Sequence, residues 1–343
     1  MKRRILWLVV TLSLLVLSFS PGGSAATKLV FGGWGGDWDK MAQEYVYKPF
    51  QQKYGAEVVL SYGGSADIFA RIRAQKADPQ IDVVTLTELM TINAIKEDLL
   101  WPLRKENVPN LADVWDKAQM PPYGPAILLA EVGIAYNTEK VKTPPTSWRD
   151  LWKPEYRGRV AIPSFGNASA LAFIVMAARL EGGDEYNIDP GFKMLEKLEP
   201  NVVTTYASDS DVYALLERGE AWLAVWYNGP AWAMRDKGFP IKYVRPKEGV
   251  PGIRSFINVV KNCKNRDLAE KMINQHISVE AQKGMAEKIF YGPVNKKVTL
   301  TPELAQKMPY GEECLKGFLV FDWKHIVNEL PKWQERWMKI FNK

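Results

Sequence analysis

AILLAEVGIAYN, at Ala126–Asn137, is too long and too apolar to be one edge strand of a single sheet. It leads into Pro144 and Pro145, and a new α/β pattern begins soon afterwards with an expected strand at Arg159–Ile162. We therefore expect this run to leave one α/β unit and to enter a second one.

Before this run, short apolar segments alternate with helical ones. The expected elements are strands at Lys28–Phe31, Glu57–Ser61 and Ile81–Leu86 and helices at Asp37–Tyr54, Ala66–Lys76 and Glu88–Ile95, with Gly55 ending the first helix. This alternation predicts an α/β layer built on a mostly parallel sheet.

After this run, the alternation resumes. The expected elements are helices at Ala168–Leu180, Asp209–Arg218, Gly229–Lys237 and Arg266–Ile289 and strands at Ala221–Trp226, Ile241–Val244 and Ser255–Val260. A chain that leaves the first unit near residue 135 and returns near residue 253 crosses between the units at least twice. Two lobes joined by crossing strands can close on a ligand at the carboxyl ends of their strands.

The amino-terminal end has the composition of a secretion signal. Basic residues 2–4 precede an uncharged run at Ile5–Phe19, and small residues lead to Ala25 and Ala26. The run is shorter than the roughly 20 residues of a spanning helix, and no cysteine stands at the expected cleavage site to carry a lipid. We expect export to the periplasm, with the signal cleaved and no membrane anchor.

Length and charge narrow the class of protein. The chain of 343 residues is longer than a single core usually supports, which favours two lobes. Its formal net charge of +6 falls by three when the signal is removed, and no Lys/Arg-rich stripe with interleaved aromatic residues occurs. This balance argues against a nucleic-acid partner.

The chain contains two cysteines and two histidines. In an exported protein we expect Cys263 and Cys314 to form a disulfide, with two buried free thiols as the alternative. His276 and His325 have no partner at the spacing of metal ligands, so we expect no metal site and no cofactor.

Six motifs, in this order along the chain, resemble the polyamine-binding branch of the bacterial extracellular solute-binding proteins. They are LVFGGW (Leu29–Trp34), GIAYN (Gly133–Asn137), TSWRDLWKPEYRG (Thr146–Gly158), VWYNG (Val225–Gly229), PKEG (Pro246–Gly249) and YGPVN (Tyr291–Asn295). The third is the longest and most specific, and together they span most of the chain after the signal.

The resemblance implies an α/β fold of the two-lobed periplasmic-binding-protein type II, with the ligand cleft between lobes joined by crossing strands. It also implies capture of a small nitrogen-containing solute without catalysis, and delivery to an ABC permease in the inner membrane. We expect a monomer. The expected division is a signal peptide (1–26), the first part of lobe 1 (27–135), the first part of lobe 2 (136–253), a return to lobe 1 (254–295) and a segment that completes the lobes (296–343).

Aromatic residues of the family's site match Trp34, Trp226 and Tyr291 here, with Trp38 nearby. In the polyamine binders, such rings sandwich the aliphatic chain while carboxylates hold the ammonium ends. We expect Trp34 and Trp226 to face each other across the cleft, the alternative being rings of the core or cleft wall without a ligand role.

The acidic positions depart from the family's pattern. The family's two acids after the first strand of lobe 2 fall on SFGNA (Ser164–Ala168), which has none, and its acid in the returning strand falls near Ser255, next to Arg254. Ser164 and Asn167 at a helix start, together with Arg254, suit an acid group on the ligand. An ordinary helix cap is the alternative. This departure indicates a zwitterionic amino acid or aminophosphonate as the ligand in preference to a polyamine.

Some acids remain to hold an amine, chiefly Asp37, Glu88, Asp209 and Asp322. Asp209 lies in the segment ASDSD (207–211), where capping of the next helix is an alternative role. For Glu88 the alternative is a solvated surface position.

Two other functions stay open. An exported hydrolase with paired carboxylates would suit a Trp-rich cleft, but the sequence lacks a specific acid/base signature. A ferric-ion-binding transport protein would use adjacent tyrosines late in lobe 2, whereas Tyr227 stands between Trp226 and Asn228.

Overall fold

The structure is a computed structural model that describes residues 26–341, apart from the side chain of Asp37. The expected signal peptide therefore lies outside the described residues, except for Ala26. Within the part that is described, no helix combines the length and the apolar character that crossing a bilayer requires.

Eleven strands and thirteen α-helices follow one another in the described part of the chain. The strands are β1 (Lys28–Gly33), β2 (Glu57–Tyr62), β3 (Val83–Thr87), β4 (Leu100–Trp101), β5 (Ala126–Asn137), β6 (Val160–Pro163), β7 (Val202–Tyr206), β8 (Leu223–Tyr227), β9 (Ile241–Val244), β10 (Val250–Val260) and β11 (Phe318–Leu319). The α-helices are α1 (Gly36–Ala42), α2 (Lys48–Tyr54), α3 (Ser65–Ala74), α4 (Glu88–Lys96), α5 (Ala168–Arg179), α6 (Asp189–Leu198), α7 (Asp209–Glu217), α8 (Asn228–Asp236), α9 (Arg266–His276), α10 (Val279–Ile289), α11 (Pro302–Ala305), α12 (Gly311–Lys316) and α13 (Trp323–Phe341). A π-helical turn at Gln43–Tyr47 joins α1 to α2, and 3-10 turns lie at Lys105–Asn107, Pro109–Asp113, Asp116–Ala118, Trp148–Trp152, Pro154–Tyr156 and Glu199–Asn201.

β5 and β10 run antiparallel through the middle of the molecule and are buried over almost their whole lengths. The first half of β5 pairs with β10, as far as Glu131 opposite Gly252. The second half, from Val132 opposite Tyr227, pairs with β8 and β9. A single strand therefore passes from the sheet of one lobe to that of the other, which confirms the expected two-lobed fold with crossing strands.

Parallel strands form the centre of each lobe. β1 pairs in parallel with β2 and β3 in the first lobe, and β6 pairs in parallel with β7 and β8 in the second. In open sheets of this kind, ligands bind outside the carboxyl ends of the strands. The segments that follow β1, β6 and β8 are therefore the ones to inspect for a site.

The segment Thr146–Gly158, which carries most of the resemblance noted above, has a structural role. Ser147 Oγ and Trp148 N donate to the carboxylate of Glu248, and Trp148 Nε1 donates to Gly249 O at 2.9 Å. Trp148 itself is fully buried. The segment thus binds the PKEG turn and fixes the approach to β10.

Several expected elements differ from the structure. The helix expected at Arg266–Ile289 is broken after Ile277, because Ser278 Oγ accepts from Ala281 N at 3.2 Å and begins α10. β10 starts five residues before the strand expected at Ser255–Val260. Helix α6, strand β7 and the long carboxyl-terminal helix α13 are further elements that were not expected from the sequence.

The predicted disulfide is wrong, since Cys263 and Cys314 are free thiols. Cys263 follows the end of β10, whereas Cys314 lies in α12 just before β11, which pairs with the start of β10 at Val250. A strand as long as β10 spans on the order of 30 Å. The two cysteines therefore lie near opposite ends of β10, well beyond the roughly 7 Å Cα separation that a disulfide tolerates.

His276 is a buried, neutral ring at the end of α9. It stacks on Phe31 and lies edge-on to Tyr47, with ring centroids 5.3 and 5.9 Å away. Its Nε2 has no hydrogen-bond partner among the described residues. Burial lowers the pKa of His276 to about 3, whereas an unfolded chain takes up this proton near pH 6.5.

We predict that this difference weakens the fold in acid. Between about pH 6.5 and pH 3 only the unfolded state is protonated here, so the free energy of unfolding should fall as pH falls, by about 3 kcal/mol from pH 7 to pH 4. In His276→Gln, urea denaturation at both pH values should show a loss smaller by that amount. His325→Gln, at the half-buried second histidine, is the control and should behave as the wild type. Equal acid sensitivity of His276→Gln and the wild type would contradict this account.

Candidate functional site

A cleft of about 700 Å3 lies between the two lobes. One wall comes from the turn after β1, from α1 and from the end of α10, and the other comes from α7 and α8. Its lining includes Trp38, Asp209, Tyr213, Gly229, Tyr291 and the exposed Lys237 and Lys288. The volume is in the range of about 300–1,000 Å3 that is typical of sites for small organic molecules.

The first wall is a row of three half-buried aromatic rings. Trp34 directly follows β1, and its Nε1 donates to Ser65 Oγ at 3.2 Å. Its ring lies 5.4 Å from that of Trp38, in an edge-on arrangement, and the ring of Trp38 lies 6.4 Å from that of Tyr291. Gly36, with a left-handed φ of 72°, allows the chain to turn from this row into α1.

The second wall is built around the end of β8. Trp226 is fully buried, contrary to the expectation that its ring faces Trp34 across the cleft. Its Nε1 donates to Asp209 Oδ1 at 2.6 Å, and its ring packs edge-on against Tyr213 with centroids 5.2 Å apart. Trp226 therefore positions the Asp209 carboxylate from within the core of lobe 2.

Asp209 begins α7 and has one carboxylate oxygen without a protein donor. Among the described residues, only Trp226 donates to this carboxylate, through Oδ1. The capping role considered for Asp209 belongs to Ser208, whose Oγ accepts from Asp211 N. Asp209 keeps contact with solvent, but the crowded cleft limits its hydration and raises the pKa of its carboxyl, while the bond from Trp226 acts in the opposite direction.

Tyr227, at the end of β8, and Tyr291, at the cleft, are phenols rather than phenolates. Burial raises the pKa of Tyr227 to about 12, and Tyr227 Oη donates to Asn167 Oδ1 at 2.9 Å. Burial also raises the pKa of Tyr291, and the charge of Asp209 adds to this effect. The described residues contain no group of three or more His, Cys, Asp and Glu side chains that could hold a metal ion.

Gly229 lets the start of α8 approach the first lobe. A Cβ at this position would lie 2.9 Å from the ring of Tyr291, too close for any side chain. The neighbouring Asn228 is fully buried, accepts from Glu131 N at 3.0 Å and donates to Phe290 O at 2.7 Å. The end of β8 is thereby tied both to β5 and to the segment that follows α10.

The loop Ser164–Ala168 caps α5. Asn167 Oδ1 accepts from Ser169 N at 3.2 Å as well as from Tyr227, and Ser164 N donates to Tyr206 O at 2.8 Å. The helix-cap alternative therefore describes the geometry of Asn167.

Arg254 and Glu88 bind each other. Arg254 Nε donates to Glu88 Oε2 at 2.9 Å, its Nη2 donates to Oε1, and its Nη1 donates to Lys117 O. Both side chains are almost buried, and burial raises the pKa of Glu88 although Arg254 acts to lower it. These contacts contradict the expectation that Arg254 meets a ligand's acid group, and equally the solvated alternative for Glu88. Ser255 is buried opposite Thr87 of β3.

Asp322 lies apart from the cleft. Its Oδ2 accepts from Tyr186 Oη at 2.7 Å, and its Oδ1 accepts from His325 N at 3.0 Å in the first turn of α13. It stabilises the start of that helix, so the structure does not bring it to the other expected residues.

Of the expected site residues, the structure brings together Trp34, Trp38, Asp209 and Tyr291. Sequence reasoning missed Tyr213, although it follows Asp209 by four residues and therefore lies on the same face of α7. No local sequence pattern predicts that Gly229, Lys237 and Lys288 lie at the cleft.

Comparison with known proteins agrees with this architecture. Residues 46–309 match the family described as bacterial extracellular solute-binding protein. The spermidine/putrescine-binding periplasmic protein of Salmonella typhimurium is 26% identical over 323 residues, which cover 89% of this chain and 90% of that protein. The gamma-aminobutyric acid-binding protein of Pseudomonas aeruginosa is 27% identical over 348 residues, which cover 95% of this chain and 94% of that protein.

A solved structure gives the same result for the fold. The crystal structure of an ABC transporter from Clostridium perfringens is 31% identical, with a TM-score of 0.78, and the match covers 91% of this chain and 99% of that chain. This chain belongs to the family of bacterial extracellular solute-binding proteins.

Proposed function

We propose that this protein captures a small amine-bearing organic solute between its lobes and delivers it to an ABC permease in the inner membrane. It acts as a monomer in the periplasm after removal of its signal peptide, and it catalyses no reaction. The two relatives named above bind spermidine or putrescine and gamma-aminobutyric acid according to their names, and a primary amine is common to these ligands.

The observation that carries this proposal is the Asp209 carboxylate among aromatic rings. Trp226 holds Oδ1, Tyr213 lies one turn further along α7, and Trp38 and Tyr291 belong to the opposite wall. The faces of aromatic rings attract a cation, and a carboxylate supplies its counter-charge in a charge-assisted hydrogen bond. An ammonium group satisfies both kinds of contact.

The two alternatives find less support. A hydrolase would need a free pair of acids. Among the cleft-lining residues whose side chains are described, the carboxylates are those of Asp209 and Asp236, and Lys307 binds Asp236 at 3.3 Å, so these two do not form such a pair. A ferric site would need tyrosine oxygens that converge on the ion, whereas Tyr227 Oη donates to Asn167 Oδ1 at 2.9 Å.

The direct test is native mass spectrometry of the protein as purified, followed by a thermal-shift screen of amines and amino acids. A ligand at a hundredfold excess over its Kd should stabilise the folded state by about 2.7 kcal/mol. Absence of any shift with amines at millimolar concentration would overturn the proposal.

The first prediction concerns the carboxylate. Asp209→Asn should weaken the binding of an amine by about 10- to 100-fold, because a hydrogen bond to a charged group contributes about 1.5–3 kcal/mol. Isothermal titration calorimetry measures the change. Asp211→Asn removes the same charge two residues further along α7 and is the matched control. If both variants bind as the wild type does, the ammonium does not meet Asp209.

The second prediction concerns pH. Because a cation favours the ionised carboxylate, amine affinity should fall as pH drops through the pKa of Asp209, which the cleft raises above its usual range. Trp226→Phe removes the opposing hydrogen bond and should move this fall to higher pH. In Asp209→Asn the fall should vanish. An identical pH profile in all three proteins would rule out Asp209 as the titrating group.

A further inference from the structure

Two lysines at the cleft have no carboxylate partner among the side chains that the structure describes. Lys237 follows α8 in the second lobe, and Lys288 lies in the last turn of α10, which packs against α1 in the first. Among the described side chains neither forms an ion pair, whereas Lys283 pairs with Glu287 in the same helix. Each lobe thus contributes to the same cleft one ammonium group that no described carboxylate pairs with.

The position of Lys237 follows from α7. Asp209 and Tyr213 are one turn apart on the same helix face, about 6 Å along the axis. Lys237 Nζ lies 5.6 Å from the centroid of the Tyr213 ring. Asp209 and Lys237 are therefore both neighbours of Tyr213 on this wall of the cleft.

Building on the proposed function, we infer that Lys237 and Lys288 bind the carboxylate of a zwitterionic solute whose ammonium group lies at Asp209. Because Asp209 and Lys237 both neighbour the Tyr213 ring, a compact solute with a charge at each end can meet both groups. The ligand class is therefore a short ω-amino acid.

The placement of the lysines in different lobes links ligand charge to closure. Without an anion, two ammonium groups repel each other across the cleft and oppose its closing. A carboxylate between them attracts both lobes. The second ammonium group of a diamine would lie beside the two lysines and be repelled by them, whereas the carboxylate of an amino acid would be attracted.

The experiment compares three four-carbon probes that share one ammonium group and differ at the other end. These are 4-aminobutanoate, n-butylamine and 1,4-diaminobutane, each titrated by calorimetry into the full chain at low and high salt. The affinities should fall in that order, and the advantage of 4-aminobutanoate should shrink at high salt because the lysines are exposed.

Variants then assign the carboxylate contact. Lys237→Gln and Lys288→Gln should each weaken 4-aminobutanoate about tenfold and leave n-butylamine unchanged. Lys283→Gln, five residues earlier in α10, is the matched control and should bind all three probes as the wild type does. Thermal melting without ligand verifies that each variant is folded.

Three results would overturn the inference. Tighter binding of 1,4-diaminobutane than of 4-aminobutanoate by the wild type refutes the zwitterion. Unchanged 4-aminobutanoate affinity in both lysine variants refutes their role while amine capture stands. Failure of all three probes to bind removes amine capture itself, and this inference with it.

Discussion

The antiparallel pairing of β5 with β10 is the constraint on which both lobes depend. β5 exchanges one partner for another between Glu131 and Val132, so this strand joins the sheets of the two lobes at that point. A side chain larger than that of glycine does not fit at position 133 of this strand, because a Cβ there would lie 2.5 Å from Tyr243 Oη. At the end of β8, Asn228 accepts a hydrogen bond from Glu131 N, and Trp226 in the same strand binds Asp209. The wall that carries Asp209 is therefore attached to β5 at the exchange point.

Motifs that carry the family resemblance divide into two physical roles. The segment at Thr146–Gly158 and the PKEG turn bind each other and hold the fold. The motif VWYNG has a structural role and a role at the site. Asn228 and Gly229 join the lobes, while Trp226 positions a carboxylate. A resemblance that rests largely on structural motifs predicts the fold well and says little about the ligand.

Strand and helix alternation was sufficient to predict both lobes and their crossing, because buried parallel strands and amphipathic helices leave a local pattern. The site was harder to predict, because its contacts depend on which face of an element is buried. Period-two alternation separates Trp226 from Tyr227, but it does not tell which ring faces the core. Arg254 and Glu88 pair across 166 positions of sequence, and no local signal reveals such a contact. Similarly, Cys263 and Cys314 both lie next to β10, and only its length places them far apart.

The Glu88–Arg254 ion pair lies outside the cleft, and it therefore affects which charged groups remain available to a ligand. A buried ion pair is expensive to break, since either partner alone would be an uncompensated charge in a poorly hydrated place. The pair therefore joins α4 to β10. We propose that recognition belongs instead to Asp209, which is held from behind by Trp226, and to the hydrated lysines at the edge of the cleft. Hydrated lysines lose little solvation when they meet an anion, so they can favour one ligand charge over another without the desolvation cost that a buried arginine would impose.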